Sequence, residues 1–214
     1  AAYPISKFMK EVESRSDQES ISTGFHCFDN VLGGGLYPGL FVVSGMSAVG
    51  KTTFMLQLAC NLARNGNNVI YFTLEQSVYE LQGKILSRLA YEISGENEKG
   101  EVPTAREITS GKMYKYFSTE KQRLIDEAMK DYGQNIEKNI FWHEGSEKSN
   151  IDNITNAIKV MQKRIVNPII IIDYLQIITP ANDRQTDKQN TDQAVTALRR
   201  LSRDLKIPIL VISS

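Results

Sequence analysis

Residues 168–173 read Pro-Ile-Ile-Ile-Ile-Asp, and no other stretch limits the fold of this chain as tightly. β-Branched side chains suit an extended backbone, and successive side chains of a strand point to opposite faces. Isoleucine at every position, rather than every second one, requires a strand buried on both faces, as in a parallel sheet covered by helices on each side. Strands and helices alternate around it. Leu40–Ser44 is a short apolar run, and Lys51–Asn65 carries Phe54, Met55, Leu58, Ala59, Leu62 and Ala63 at helical spacing before Gly66. Val69–Leu74 predicts a second buried strand. Ser77 and Glu80 then form a capping-box pattern ahead of a helix striped by Leu81, Ile85, Leu89 and Ile93. Further on come a helix over about 119–132, a strand at Asn139–His143 and an amphipathic helix with Ile151, Ile154, Ile158, Met161 and Ile165. The last unit is a helix with Val195, Leu198, Leu201 and Leu205, followed by a strand at Ile207–Ile212. Residues 94–118 are polar and show no periodicity. Five strands interleaved with helices imply an α/β three-layer domain with a mostly parallel central sheet.

The core so read covers residues 21–214. Residues 1–20 place Phe8, Met9 and Val12 on one amphipathic patch before the polar run 13–20, and read as an appended helix and linker; the bland alternative is a frayed terminus. The chain opens on Ala1-Ala2 without methionine, as a trimmed piece would. With 25 Lys plus Arg against 25 Asp plus Glu, it does not hold nucleic acid through bulk basicity, although a local basic loop is compatible with that balance. Its two cysteines, Cys27 and Cys60, are too far apart for a short-spaced zinc motif and fit a reducing, cytoplasmic setting. No apolar run is long enough to span a membrane.

Six of the 14 glycines fall between positions 33 and 50, which marks a backbone that turns sharply or approaches something closely. Within this stretch, residues 45–52 read Gly-Met-Ser-Ala-Val-Gly-Lys-Thr, the Walker A pattern, between a predicted strand and a predicted helix. Backbone N–H groups of Gly45, Ser47, Ala48, Val49 and Gly50, continuing through Lys51, Thr52 and Thr53 at a helix N-terminus, can converge on phosphate oxygens. Lys51 would reach the β and γ phosphates of ATP, and the Thr52 hydroxyl would hold Mg²⁺. The alternative is a glycine-rich turn that happens to precede a helix.

A P-loop NTPase also needs carboxylates at the carboxyl ends of strands. Asp173 ends the isoleucine run and is the candidate for Mg²⁺; otherwise it is a turn residue. Glu75 ends the strand 69–74 and is placed to polarise a water for attack on the γ phosphate; otherwise it satisfies backbone donors at a helix start. His26 and His143 pair with no nucleophile and read as structural.

Taken in order, these pieces resemble the RecA-like ATPase domain of DnaB-type replicative helicases. ISTGFHCFDNVLGGGLYPG at 21–39 is similar to that family's leading segment, GMSAVGKT at 45–52 to its Walker A loop, and FTLEQS at 72–77 to the block with its glutamate base. IIIIDYLQII at 169–178 resembles its Walker B strand, and AVTALRRLSRDLKIPILVISS at 194–214 the helix and strand leading to its sensor motif. The resemblance implies a catalytic role for Glu75 beside Lys51, a homohexameric ring, and translocation on single-stranded DNA in a bacterial cell or phage-infected host. It further implies primase or helicase-loader contacts through parts outside this chain, and a core cut short before the family's sensor residue and arginine finger, so that this piece alone hydrolyses ATP weakly. The polar segment 180–193 would face the central channel, with Arg184 and Lys188 touching DNA phosphates; a plain solvated connection is the alternative. Residues 1–20 would dock on a neighbouring subunit.

Two other readings share much of this pattern. One is a RecA- or RadA-like recombinase or regulatory ATPase, against which the Asp173-Tyr174-Leu175-Gln176 sequence favours a helicase. The other is an assembly or loading module that binds nucleotide as a switch without robust hydrolysis.

Overall fold

Gly39–Ser44 (β1), Val69–Thr73 (β2), Ile140–Glu144 (β3), Ile169–Asp173 (β4) and Pro208–Ser213 (β5) form one sheet in the order β1-β5-β4-β2-β3, and every neighbouring pair is parallel. This computed structural model describes residues 4–16, 19–145, 149–175, 178 and 186–213. The isoleucine run is the middle strand. Ile169 through Ile172 are each 0% exposed, and full burial of such a side chain contributes about 1.5–3 kcal/mol relative to exposure.

Alternation along the strands divides the apolar side chains between two cores. Ile169 and Ile171 join Val69, Tyr71, Leu210 and Ile212 on one face; Ile170 and Ile172 join Ile70, Phe72, Ile209 and Val211 on the other. The first core is closed by Lys51–Arg64 (α3), Val78–Ile93 (α4) and Thr119–Asn135 (α7), the second by Ile151–Gln162 (α8) and Asp187–Leu205 (α9). The three expected layers are present.

Helix ends follow local chemistry. α3 stops where Gly66 takes φ 84°, with Gly66 N–H donating to Ala63 O and Asn67 N–H to Leu62 O, a Schellman arrangement. α4 starts at the expected box, Ser77 Oγ accepting from Glu80 N–H while the Glu80 carboxylate accepts from Ser77 N–H. The aperiodic residues 94–118 hold a 3₁₀ turn at Glu96–Glu101 and two short helices, Ala105–Thr109 (α5) and Gly111–Tyr114 (α6). Thr104, Ser110 and Ser118 cap successive helices there; α5 and α6 bury no residue fully and are fixed by their N-terminal hydrogen bonds, whereas α7 also buries Leu124, Ile125, Ala128 and Tyr132. α5 packs on α4 at Gly83, where a Cβ would collide with Thr109.

Among the described residues, two helices precede the sheet. Ile5–Ser16 (α1) leaves Ile5, Phe8, Met9 and Val12 exposed. His26–Val31 (α2), which lacks a sequence signal strong enough to predict it, is tied down by Asp29, whose Oδ1 accepts from Thr23 N–H at 2.9 Å and Thr23 Oγ1 at 2.6 Å.

Candidate nucleotide site

Between the end of β1 at Ser44 and the start of α3 at Lys51, residues 45–50 curl back on themselves with their side chains exposed. Ala48 at φ 62° and Gly50 at φ 96° supply the left-handed turns. Gly50 is the N-cap of α3 and offers no side-chain acceptor, so this end presents N–H groups of the first turn with a partial positive charge. Lys51 Nζ donates to Gly45 O at 2.7 Å and Met46 O at 2.9 Å, which holds the ammonium inside the curl. Gly45, Ser47, Ala48, Val49 and Gly50 line the curl, and Lys51, Thr52 and Thr53 form the first turn of α3, as the sequence predicts.

Asp173, at the carboxyl end of β4, is 5% exposed. Its Oδ2 accepts from Tyr71 Oη at 3.1 Å, and the Thr52 hydroxyl lies near enough to act on the same carboxylate. Burial pushes the Asp173 carboxyl above the ordinary carboxylate range. The neighbouring Thr52 and Tyr71 hydroxyls oppose that rise, the Glu75 charge adds to it, and the Lys84 charge opposes it. Glu75 therefore lies within electrostatic reach of Asp173, as strand-end placement predicts.

The bend that carries Glu75 is fixed on several sides. Leu74 N–H donates to Asp173 O at 2.8 Å, so the ladder between β2 and β4 continues one residue past the strands. The buried Thr73 hydroxyl donates to Gln76 O, and Lys84 Nζ to Gln76 Oε1 at 2.7 Å. Glu75 itself is exposed. The side chain faces solvent from a backbone that cannot wander.

Sequence reasoning missed Tyr71 and Lys84. Tyr71 is the only residue of Val69–Phe72 with a polar side-chain atom, and a buried phenol calls for a partner. Lys84 sits on α4, the helix that starts immediately after the Glu75 bend. His143 packs on Phe72 with ring centroids 4.6 Å apart, and burial pushes its pKa down; His26 Nδ1 pairs with Asn30 Nδ2.

The reading of 180–193 as one loop needs correction. α9 begins at Asp187, behind a capping box of Thr186 and Gln189, so Lys188 stands exposed on the first helical turn. Asn190, two residues on, is buried and donates from Nδ2 to Ile178 O. The Thr-x-x-Gln spacing carried this signal. Arg184 lies outside the described residues. A shallow hollow of about 560 Å³ beside α6 and α7 is lined by residues such as Phe117, Gln122 and Arg123; it includes none of the residues above, so it is not this site. No helix among the described residues is long and apolar enough to cross a membrane.

A probable replicative DNA helicase of Trieres chinensis is 21% identical over 215 residues, covering 98% of this chain and 43% of that protein. The replicative DNA helicase DnaB of Geobacillus stearothermophilus is 25% identical over 195 residues, covering 90% of this chain and 39% of that protein. The chain thus spans about two fifths of the length of these relatives. Among solved structures, a DnaB-like replicative helicase, described with its interactions with primase, superposes with a TM-score of 0.76 at 18% identity, over 100% of this chain and 48% of that one, which shows a shared fold. The family described as DnaB-like helicase C terminal domain matches residues 20–214, nearly the whole length, and the chain belongs to that family.

Proposed function

We propose that this domain is the ATP-driven motor of a replicative DNA helicase. The observation that carries the proposal is the buried Asp173 carboxylate at the end of β4, with the Thr52 hydroxyl near enough to lower its pKa, beside the Lys51 curl and within the field of Glu75. The curl from Gly45 to Gly50, with Thr53 in the helix turn, receives the phosphates through backbone N–H groups, and Lys51 exchanges the Gly45 and Met46 carbonyls for β and γ phosphate oxygens. Thr52 and Asp173 offer two hard oxygen donors, the share that a protein supplies to Mg²⁺ when phosphates and water complete the shell. When bound, Mg²⁺ neutralises charge developing between the β and γ phosphates. Glu75, exposed on its fixed bend, orients a water and accepts its proton.

Membership of the DnaB-like family supports the rest of the reading: a homohexameric cytoplasmic ring, single-stranded DNA in its channel, and primase or loader contacts in the whole protein. The exposed apolar face of α1 supports docking on a neighbouring copy, with residues 1–20 acting as an arm to the core at 21–214.

Phosphate release by the assembled protein tests the proposal. Release should rise with single-stranded DNA and fall by at least about 100-fold in Glu75→Gln, while nucleotide is still bound. Release that ignores both DNA and Glu75→Gln would leave a nucleotide-switched assembly module instead.

A further inference from the structure

We propose that Tyr71 is a positioning residue for the metal-side carboxylate, its phenol fixing Asp173 in the orientation in which a divalent cation can be shared with Thr52. The inference rests on the nucleotide-site reading above. Tyr71 is 0% exposed in the middle of β2, paired in register with Ile171, with Asp173 beside it two positions along the neighbouring strand. Its ring lies 5.2 Å from that of Trp142, the only tryptophan of the chain, and its Oη reaches Asp173 Oδ2 at 3.1 Å.

The packing requires only the ring. Phenylalanine would fill the same volume, and the other side chains from Val69 to Phe72 carry no polar atom, so the hydroxyl answers to Asp173 rather than to the core. The two hydroxyls near that carboxylate are not equivalent. Thr52 stands on the first turn of α3, after the curl, where its oxygen can give a lone pair to a cation. Tyr71 lies on the sheet side, out of reach of solvent, and holds Oδ2 from behind, which turns the remaining lone pairs of the carboxylate toward the loop. Outer-shell hydrogen bonds of this kind orient ligands and raise metal affinity.

The test is equilibrium binding of a fluorescent, non-hydrolysable ATP analogue, titrated with Mg²⁺ and repeated in excess EDTA. Tyr71→Phe should raise the Mg²⁺ concentration for half-maximal binding roughly tenfold, the lower end of outer-shell effects, and leave the EDTA affinity unchanged. Trp142 emission should match wild type, reporting an intact ring stack. In an Asp173→Asn background, Tyr71→Phe should add nothing, because the two act as one unit. A wild-type Mg²⁺ requirement in Tyr71→Phe, or equal loss with and without metal, overturns the inference and assigns the hydroxyl to the fold alone. Absence of any Mg²⁺-dependent binding in the wild-type chain overturns the nucleotide-site reading itself, and this inference with it.

Discussion

Tyr71 Oη donates to Asp173 Oδ2 at 3.1 Å, joining the middle of β2 to the end of β4, its parallel neighbour in the sheet. This hydrogen bond holds a carboxyl group at a buried position where its charge is costly. Sites under functional demand commonly sacrifice stability in this way.

That cost gives a pH-dependent prediction. The Asp173 carboxyl is raised above its ordinary value of 3.8, so the folded chain holds this proton more tightly than the unfolded chain does. Well below that value the group is neutral in both states and costs nothing; above its folded pKa the whole penalty applies. Asp173→Asn retains an oxygen to accept from Tyr71 Oη. In metal- and nucleotide-free buffer near pH 7 it should raise Tm, by about 2–4 °C for each kcal/mol recovered, and the gain should vanish toward about pH 3. Thermal unfolding followed by circular dichroism checks both ends; a variant less stable than wild type near pH 7 would show that the charge is a net stabiliser.

Lys51→Ala should weaken ATP binding by about 10- to 100-fold, the equivalent of losing charge-assisted hydrogen bonds of about 1.5–3 kcal/mol. The fold should persist, because the Nζ hydrogen bonds go to Gly45 and Met46 within the curl and to no core element. Titration calorimetry reads the affinity and far-ultraviolet circular dichroism the fold. Undiminished binding would reject Lys51 as the phosphate ligand.

What the sequence reveals and what it hides divide along one physical line. Ile169–Ile172 and the curl at 45–52 are legible because their chemistry is contiguous: burial on both faces and a tight glycine turn into a helix each demand a set of neighbouring residues. Asp173 and Glu75 are legible because they stand at strand ends. Tyr71 reads as one more buried strand residue, since its partner is 102 positions away. The helices within 94–118 and the first turns of α9 stay hidden for another reason: caps such as Thr104 and Thr186 specify them, and caps leave no periodic trace.

The cap at Thr104 can be tested directly. Its side chain accepts from Glu107 N–H, while the Glu107 carboxylate accepts from Thr104 N–H at 2.8 Å and pairs with Lys121 Nζ at 2.7 Å. The Lys121 hydrogen bond, followed by that from Thr104 N–H, holds the Glu107 pKa down to about 2. This contribution to stability is complete above the ordinary glutamate value of 4.5 and declines as pH falls toward about 2. Thr104→Ala should cost about 1 kcal/mol, and solvent screening should keep the ion pair's share below ~1 kcal/mol. Urea unfolding near pH 7 and near pH 3 measures both, the Glu107→Gln difference shrinking at the lower pH.

Lys188 tests the approach to DNA, because its place in the fold works against the helix. A cation on the first turn of α9 meets the positive end of the helix dipole, and the side chain is exposed. Lys188→Ala should therefore leave stability unchanged or raise it by a few tenths of a kcal/mol. A ring of six subunits would crowd copies of Lys188 and Arg184 into one channel, where removing one cation from a phosphate of single-stranded DNA flattens the salt dependence by about 0.7 in log–log slope. The Lys188→Ala and Arg184→Ala pair should weaken single-strand binding with a shallower slope and an unaltered ATP affinity, read by fluorescence anisotropy across a salt series. A slope equal to wild type would make the start of α9 and the segment before it a solvated connection.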